Sequence, residues 1–298
     1  MKNHLIKFSV LVSVIFLSAC NTDKSNTKED SLNEENFYLG QEPPGLIPEV
    51  FAPGMVTTNG WEYGGVFTPD LKEFYFIREV IDNEGNSTQQ FVLFQNNNGE
   101  WQDSIISARI GQPIISSDGK TMHLGKRYKE RTASGWSELE LLDPPFSELR
   151  IMRLSSSKNG TYYFDTYDPD NVAFPIRYSR LIDGKYEEPR ALGENINSGT
   201  FISHPFIAQD ESYLIWDAKK EGGYGDSDLY ISFRKKDGSW GDAINLGDKI
   251  NTGAWEAAAT ITPDGKYLFF NRNIGSSDFE NVDIFWVSTT VIENLRPQ

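Results

Sequence analysis

The sequence predicts an all-β fold, a β-propeller of four-stranded antiparallel blades. Three observations carry this. Tight-turn signatures recur every ~40–50 residues, the period of one blade. They are Asp70 in F-T-P-D-L-K, Asp118 in I-S-S-D-G-K, Asn159 in S-S-K-N-G-T, Asp210 in I-A-Q-D-E-S and Asp264 in I-T-P-D-G-K. Each of the first four is followed by Gly and an aromatic residue, at Trp101, Trp136, Tyr186 and Trp240. The run L-G-x-x-I-N stands at 192–197 and again at 246–251.

The clearest unit spans 227–270. Short β-prone runs at 229–233, 240–246, 258–261 and 267–270 predict strands. Between the last two, Pro263 presets the turn dihedral, Asp264 bonds back to the backbone and Gly265 takes positive φ. From the N-terminus, residues 1–19 have a basic start (Lys2, Lys7) and an apolar run at 8–17. That is a signal peptide, too short to span a membrane. Leu17-Ser18-Ala19-Cys20 resembles the bacterial lipobox. The resemblance implies cleavage before Cys20 and acylation on it, with the acyl chains as membrane anchor. Cys20 is the one cysteine, so no intrachain disulfide can form. Residues 20–36 are polar and read as a flexible tether.

Residues 37–298 form the predicted propeller. Within 37–58, P-E-V-F-A-P-G parallels E-P-R-A-L-G of 188–193, so it reads as an outer strand placed first. Five hairpins, four Gly-x-aromatic strands and this orphan close the count. An N-terminal strand completing the last blade would remove exposed sheet edges. Five blades are favoured over six; a sixth would need the N-terminal segment or 289–298.

The x-P-D-G-K hairpins, D-L-Y-I-S and L-G-x-x-I-N resemble the WD-like repeats of the Tol-Pal translocation protein's propeller. The N-terminal L-G-Q-x-P-P-G-x-x-P-E-x-F-A-P-G resembles a lipoprotein branch of that family common in Bacteroidetes. The resemblance covers about 37–286. It implies a propeller anchored at the bacterial outer membrane, facing periplasm or cell surface. Relatives include binding modules and carbohydrate-processing enzymes, so the fold does not choose a function.

The net charge is −15, which argues against nucleic acid and anionic lipid headgroups as partners. Nucleotide-binding and common hydrolase motifs are absent. Eight and six residues before each turn Asp or Asn, strand alternation places side chains on one face. Glu62, Gln112, Arg153, His204 and Glu256 therefore converge around the mouth. The alternative is that each pairs with a neighbouring blade and locks the ring. His123, the other histidine of the domain, reads as structural. Two histidines in separate blades do not make a metal site, and no metal or cofactor is expected.

The second repeat is shorter between turn and aromatic marker, so the top rim should be notched there. Lys126, Arg127, Lys129 and Arg131 lie beside the notch, and Arg150 and Arg153 open the next blade. Such a basic notch suits carboxylates or sulfates of an acidic glycan. Three readings follow. One is a monomeric, lipid-anchored propeller that binds a glycan or an envelope protein at its top face. Another is a polysaccharide lyase, with His204 as base, Tyr63 or Tyr224 as proton partner and Arg153 as carboxylate clamp. The third is an envelope scaffold.

Overall fold

The computed structural model describes residues 37–167 and 175–297. Cys20, the signal peptide, the tether and the acidic run at 168–171 lie outside them. Five antiparallel sheets form a five-bladed propeller. Blade 1 holds β2 (Glu62–Phe67), β3 (Glu73–Ile81), β4 (Ser87–Asn97) and β5 (Glu100–Ala108). Blade 2 holds β6 (Pro113–Ile115), β7 (Thr121–Leu124), β8 (Arg127–Thr132), β9 (Gly135–Trp136) and β10 (Glu140–Leu141). Blade 3 holds β11 (Leu154–Ser156), β12 (Tyr162–Phe164), β13 (Arg177–Ser179) and β16 (Arg190–Ala191), with the side hairpin β14 (Leu181–Ile182) and β15 (Lys185–Tyr186). Blade 4 holds β17 (Thr200–Ile207), β18 (Tyr213–Lys219), β19 (Asp228–Phe233) and β20 (Ile244–Asn245). Blade 5 holds β21 (Glu256–Ile261), β22 (Tyr267–Asn273) and β23 (Val282–Ser288).

The fourth strand of blade 5 is β1 (Glu49–Val50), which pairs Glu49 with Trp286 and Val50 with Phe285. The N-terminal strand therefore closes the ring, as the sequence predicts. Residues 289–298 add no blade; Thr290–Glu293 form the short helix α1. The closing segment also supplies core. Tyr38, Leu39, Phe51, Ala52 and Val56 are buried among Phe67, Phe74, Phe269 and Trp286.

The aromatic markers differ from expectation. Only Trp101 lies in a fourth strand, β5; in blades 2–4 that strand is a two-residue piece farther on. The tryptophans instead lock neighbouring blades. Trp136 Nε1 donates to Tyr75 Oη of blade 1 at 2.8 Å. Arg131 lies 5.0 Å over the Trp136 ring and forks onto Glu73 at 2.7 and 2.8 Å. Blade 4 repeats the device: Arg234 lies 4.8 Å over Trp240 and donates to Tyr163 Oη of blade 3 at 3.1 Å. The L-G-x-x-I-N asparagines are clamps. Asn197 and Asn251 bond backbone N–H and C=O of Ile176 and Leu229, where third strands begin or are about to.

His123, in β7, is 2% exposed and meets Tyr162 edge-on at 5.3 Å. Burial pushes its imidazole down to about 4, from an ordinary 6.5. The unfolded chain therefore binds the extra proton between pH 6.5 and 4. Stability from this group is present above 6.5 and is lost as pH falls toward 4, by roughly 3 kcal/mol in all. His123→Phe should flatten this part of the stability–pH curve. Urea midpoints measured from pH 7.5 to 4.5 check it; parallel curves for both proteins would refute it.

Candidate functional site

The inner strands β2, β6, β11, β17 and β21 all begin at one end of the ring, here the top face. Three of them are bulged near that end, between 63 and 66, 203 and 206, and 257 and 260. Each bulge puts one residue at positive φ: Gly64 (73°), His204 (52°) and Ala258 (57°). A bulge leaves a backbone N–H outside the ladder. Here each such N–H is taken by a side chain of the preceding blade. Asp165 accepts from His204 N at 2.8 Å, Asp217 from Ala258 N at 3.0 Å and Asn271 from Gly64 N at 3.2 Å. These residues follow their turn Asp or Asn by a near-constant interval, so blades 3–4, 4–5 and 5–1 share one clasp. Ile77 and Gly125 stand at the corresponding places in blades 1 and 2. At Gly125 the backbone packs so close to blade 3 that a Cβ would lie 2.6 Å from Ile151 O.

Two contacts then cross the axis between blades that are not neighbours. Tyr63 Oη of blade 1 lies 3.2 Å from His204 Nε2 of blade 4. Arg153 Nη2 of blade 3 donates to Ala259 O of blade 5 at 3.0 Å. His204 Nδ1 faces both oxygens of Asp217, at 2.9 and 3.0 Å. Arg153 N and His204 N share the Asp165 carboxylate. The group is sealed: Asp165 is 0%, Arg153 1%, Asp217 2%, Tyr63 3% and His204 8% exposed. Burial pushes the Tyr63 hydroxyl far up, and the nearby Asp217 charge adds to that. Burial raises the Asp165 carboxyl and lowers the Arg153 guanidinium, whose charge nearby Tyr63, Asp217 and Asp165 favour. So the structure brings His204, Tyr63 and Arg153 together, but as a brace. Both ring nitrogens of His204 are engaged by groups of the protein, and the ring is 8% exposed.

Glu62 and Glu256 do not face the mouth. Both are fully buried and turn back on their own loops. Glu62 accepts from Thr58 N and Oγ1 at 3.1 and 2.6 Å, and Glu256 from Thr252 N and Oγ1 at 3.0 and 2.6 Å. Arg272 Nε adds a 2.8 Å bond to Glu256, and Arg78 Nε lies 4.0 Å from Glu62. The alternation rule fails here because the bulge breaks the period of two. The shared signature T-x-x-W-E, at 58–62 and 252–256, was visible in the sequence and marks this cap. Its tryptophans flank Tyr63: Trp61 stacks on it at 5.2 Å and Trp255 at 6.1 Å.

The notch is present. Only Gly125 and Lys126 separate β7 from β8, whereas the corresponding loops run 82–86, 220–227 and 274–281 in blades 1, 4 and 5. Beside it lies a cleft of about 420 Å³ lined by Arg109, Gln112, Lys126, Arg127, Arg150 and Tyr167, among others. Lys129 and Arg131 are not in it; they reach Ser137 O and Glu73 farther out. Tyr224 makes no contact with His204. Its loop is held by buried Asp228, which accepts from Tyr224 N and Gly225 N. The described residues contain no cluster of three or more His, Cys, Asp or Glu placed to hold a metal ion.

The exposed aromatic rings share one location. Among the described residues they are Tyr167, Phe201, Tyr224 and Phe279, at 41, 48, 50 and 38% exposure. Tyr167 follows β12, Phe201 opens β17, Tyr224 lies between β18 and β19, and Phe279 lies between β22 and β23. All four positions are at the top face. No sequence pattern marks them, because exposure of a loop aromatic depends on what packs over it.

No family model matches the chain, and no curated protein matches it. Neither comparison supports the resemblance to the Tol-Pal propeller, which is confined to the quoted motifs. Solved structures similar to the chain include the catalytic domain of the Coprinopsis cinerea GH62 α-L-arabinofuranosidase. The TM-score is 0.51 at 8% identity, over 82% of this chain and 97% of that one. An α-L-arabinofuranosidase from Podospora anserina in complex with cellotriose gives 0.49 at 8% identity, over 82% and 96%. A GH62 hydrolase in complex with xylotriose gives 0.46 at 10% identity, over 85% and 100%. At such identities the first of these shows a shared fold and nothing about residues.

Proposed function

We propose that the protein binds a glycan at its top face and does not turn it over. The observation that carries this reading is the gathering of all four exposed aromatic rings at that face. Sugar rings present apolar faces that stack on exposed aromatics, and clustered exposed apolar surface marks a binding site. The glycoside hydrolases of similar fold supply a precedent for the fold among glycan-active proteins, and no more. The triple variant Phe201→Ser, Tyr224→Ser, Phe279→Ser should lose at least tenfold in affinity for bound polysaccharide with little change in melting. Gel mobility through polysaccharide-loaded gels measures it. Unchanged retardation would sink the reading and favour an envelope protein as ligand.

The Asp217–His204–Tyr63 chain favours a second reading, the uronate-glycan lyase. In that case His204→Ala should lower turnover by roughly 10²-fold or more while sparing binding. The expectation here is that wild type itself yields no unsaturated product.

Anchoring is proposed from the sequence. Cys20, acylated, holds the domain at the outer membrane; no described helix is long and apolar enough to cross a membrane. Cys20→Ala should move the protein out of the salt-washed membrane fraction, and persistence there would contradict the lipid anchor.

A further inference from the structure

We propose that the cleft between blades 2 and 3 is a subsite for a sugar acid, a unit with both a carboxylate and free hydroxyls. This rests on the glycan reading of the top face and names the chemical class of the ligand.

The first support is charge. Arg109, Lys126, Arg127 and Arg150 line one cleft in a protein of net charge −15. None of the four forms an ion pair with a carboxylate among the described residues, although ten such pairs occur elsewhere. Three are held by neutral acceptors. Arg109 Nη1 donates to Gln89 Oε1 at 2.7 Å, Lys126 Nζ to Ser147 O at 2.8 Å, and Arg127 to Ile110 O. Arg150 has no side-chain partner among the described residues. Among the described residues, no carboxylate pairs with any of these four cations. Positioning by neutral groups limits the entropy lost when an anion arrives. Arginine forks suit a planar carboxylate.

The second support is independent of charge. Gln112 lines the same cleft and is 7% exposed. Its Oε1 is buried with no hydrogen-bond partner. A buried amide without a partner costs free energy. Its Nε2 is likewise unbonded to any described residue, so the amide carries both a donor and an acceptor without a partner. A simple anion would satisfy the cations and leave the acceptor unused. A hydroxyl beside the carboxylate satisfies both. Tyr167, 41% exposed, supplies an aromatic wall to the same cleft. Arg109, in the cleft wall, lies 5.7 Å over the ring of Trp61, which stacks on Tyr63.

The test is calorimetric titration of the full chain with three probes: tri-galacturonate, its fully methyl-esterified form, and sodium sulfate. The ester keeps every ring hydroxyl and loses the charge. Sulfate keeps charge and loses the sugar. Tri-galacturonate should bind at least tenfold more tightly than the ester and than sulfate. Arg150→Gln should reduce affinity for the acid at least tenfold and leave the ester unchanged. Gln112→Leu, close in volume, should weaken the acid about fivefold and leave sulfate unchanged. Ester binding equal to the acid would overturn the subsite while leaving the top-face reading intact. Sulfate equal to the acid would reduce the cleft to a plain anion site and overturn the proposal. If neither sugar probe binds, the glycan reading fails together with the subsite.

Discussion

Phe51→Ala is expected to destabilise the protein by about 3–5 kcal/mol, the range for removing a buried aromatic ring. Phe51 is fully buried and meets four rings: Phe269 at 4.7 Å, Phe74 and Trp286 at 5.1 Å, and Phe67 at 6.1 Å. Those partners belong to blades 1 and 5, so the ring stands at the seam where the propeller closes. Its own N–H is bound to Ile284 O at 2.8 Å, one residue beyond the β1–β23 pairing. At this chain length the loss should lower the melting midpoint by roughly 5–10 °C. Deleting 37–58 should go further. It removes β1, exposes the β23 edge and strips Tyr38, Leu39 and Val56 from the same core. Near-UV circular dichroism on heating reads both. An unchanged midpoint in the deletion would make the segment an accessory arm and reopen the closure of the ring.

Asp217→Ala is expected to cost a similar 3–5 kcal/mol, for a different reason. Its carboxylate, 2% exposed, serves His204 Nδ1 and the bulge N–H of Ala258. It also offsets the charge of buried Arg153. Removing it leaves a donor unsatisfied and a buried guanidinium less compensated, the costly half of breaking a buried pair. Asp226→Ala is the control. Its partner is Lys219 at 3.1 Å, both are well exposed, and such pairs contribute about 0–1 kcal/mol. Urea midpoints that shift equally in the two variants would show that the axis network is not a brace.

The ring was legible because its signals are local. Thr262-Pro263-Asp264-Gly265 states its turn in four residues, and its counterparts recur with blade spacing. Closure was legible because one outer strand stood at the wrong end of the chain. The notch followed from a short loop, which length alone reveals. The clasps were not legible. Asp165 directly follows an apolar second strand and Asp217 sits inside one, in Y-F-D-T and I-W-D-A, and nothing nearby says that a bulge in the next blade awaits them. The same bulges misled the reading of Glu62 and Glu256, since alternation assumes an unbroken strand. Arg153, on a strand without a bulge, does point inward, but across the axis to Ala259 O rather than into the mouth. The basic cleft was half legible: Lys126, Arg127 and Arg150 were grouped by sequence, whereas Arg109 and Gln112 join them only through folding.

The most direct test of the account is one titration of wild-type protein with uronate-containing oligosaccharide, read for heat and for absorbance of unsaturated product together. The account predicts saturable binding that weakens as salt is raised, because the cations lining the top-face cleft contribute. It also predicts flat absorbance throughout, because His204, Tyr63 and Arg153 are buried within the axis, out of reach of a polysaccharide. Rising absorbance would contradict it by making the buried chain an active site. Absence of saturable binding would contradict it by removing the glycan.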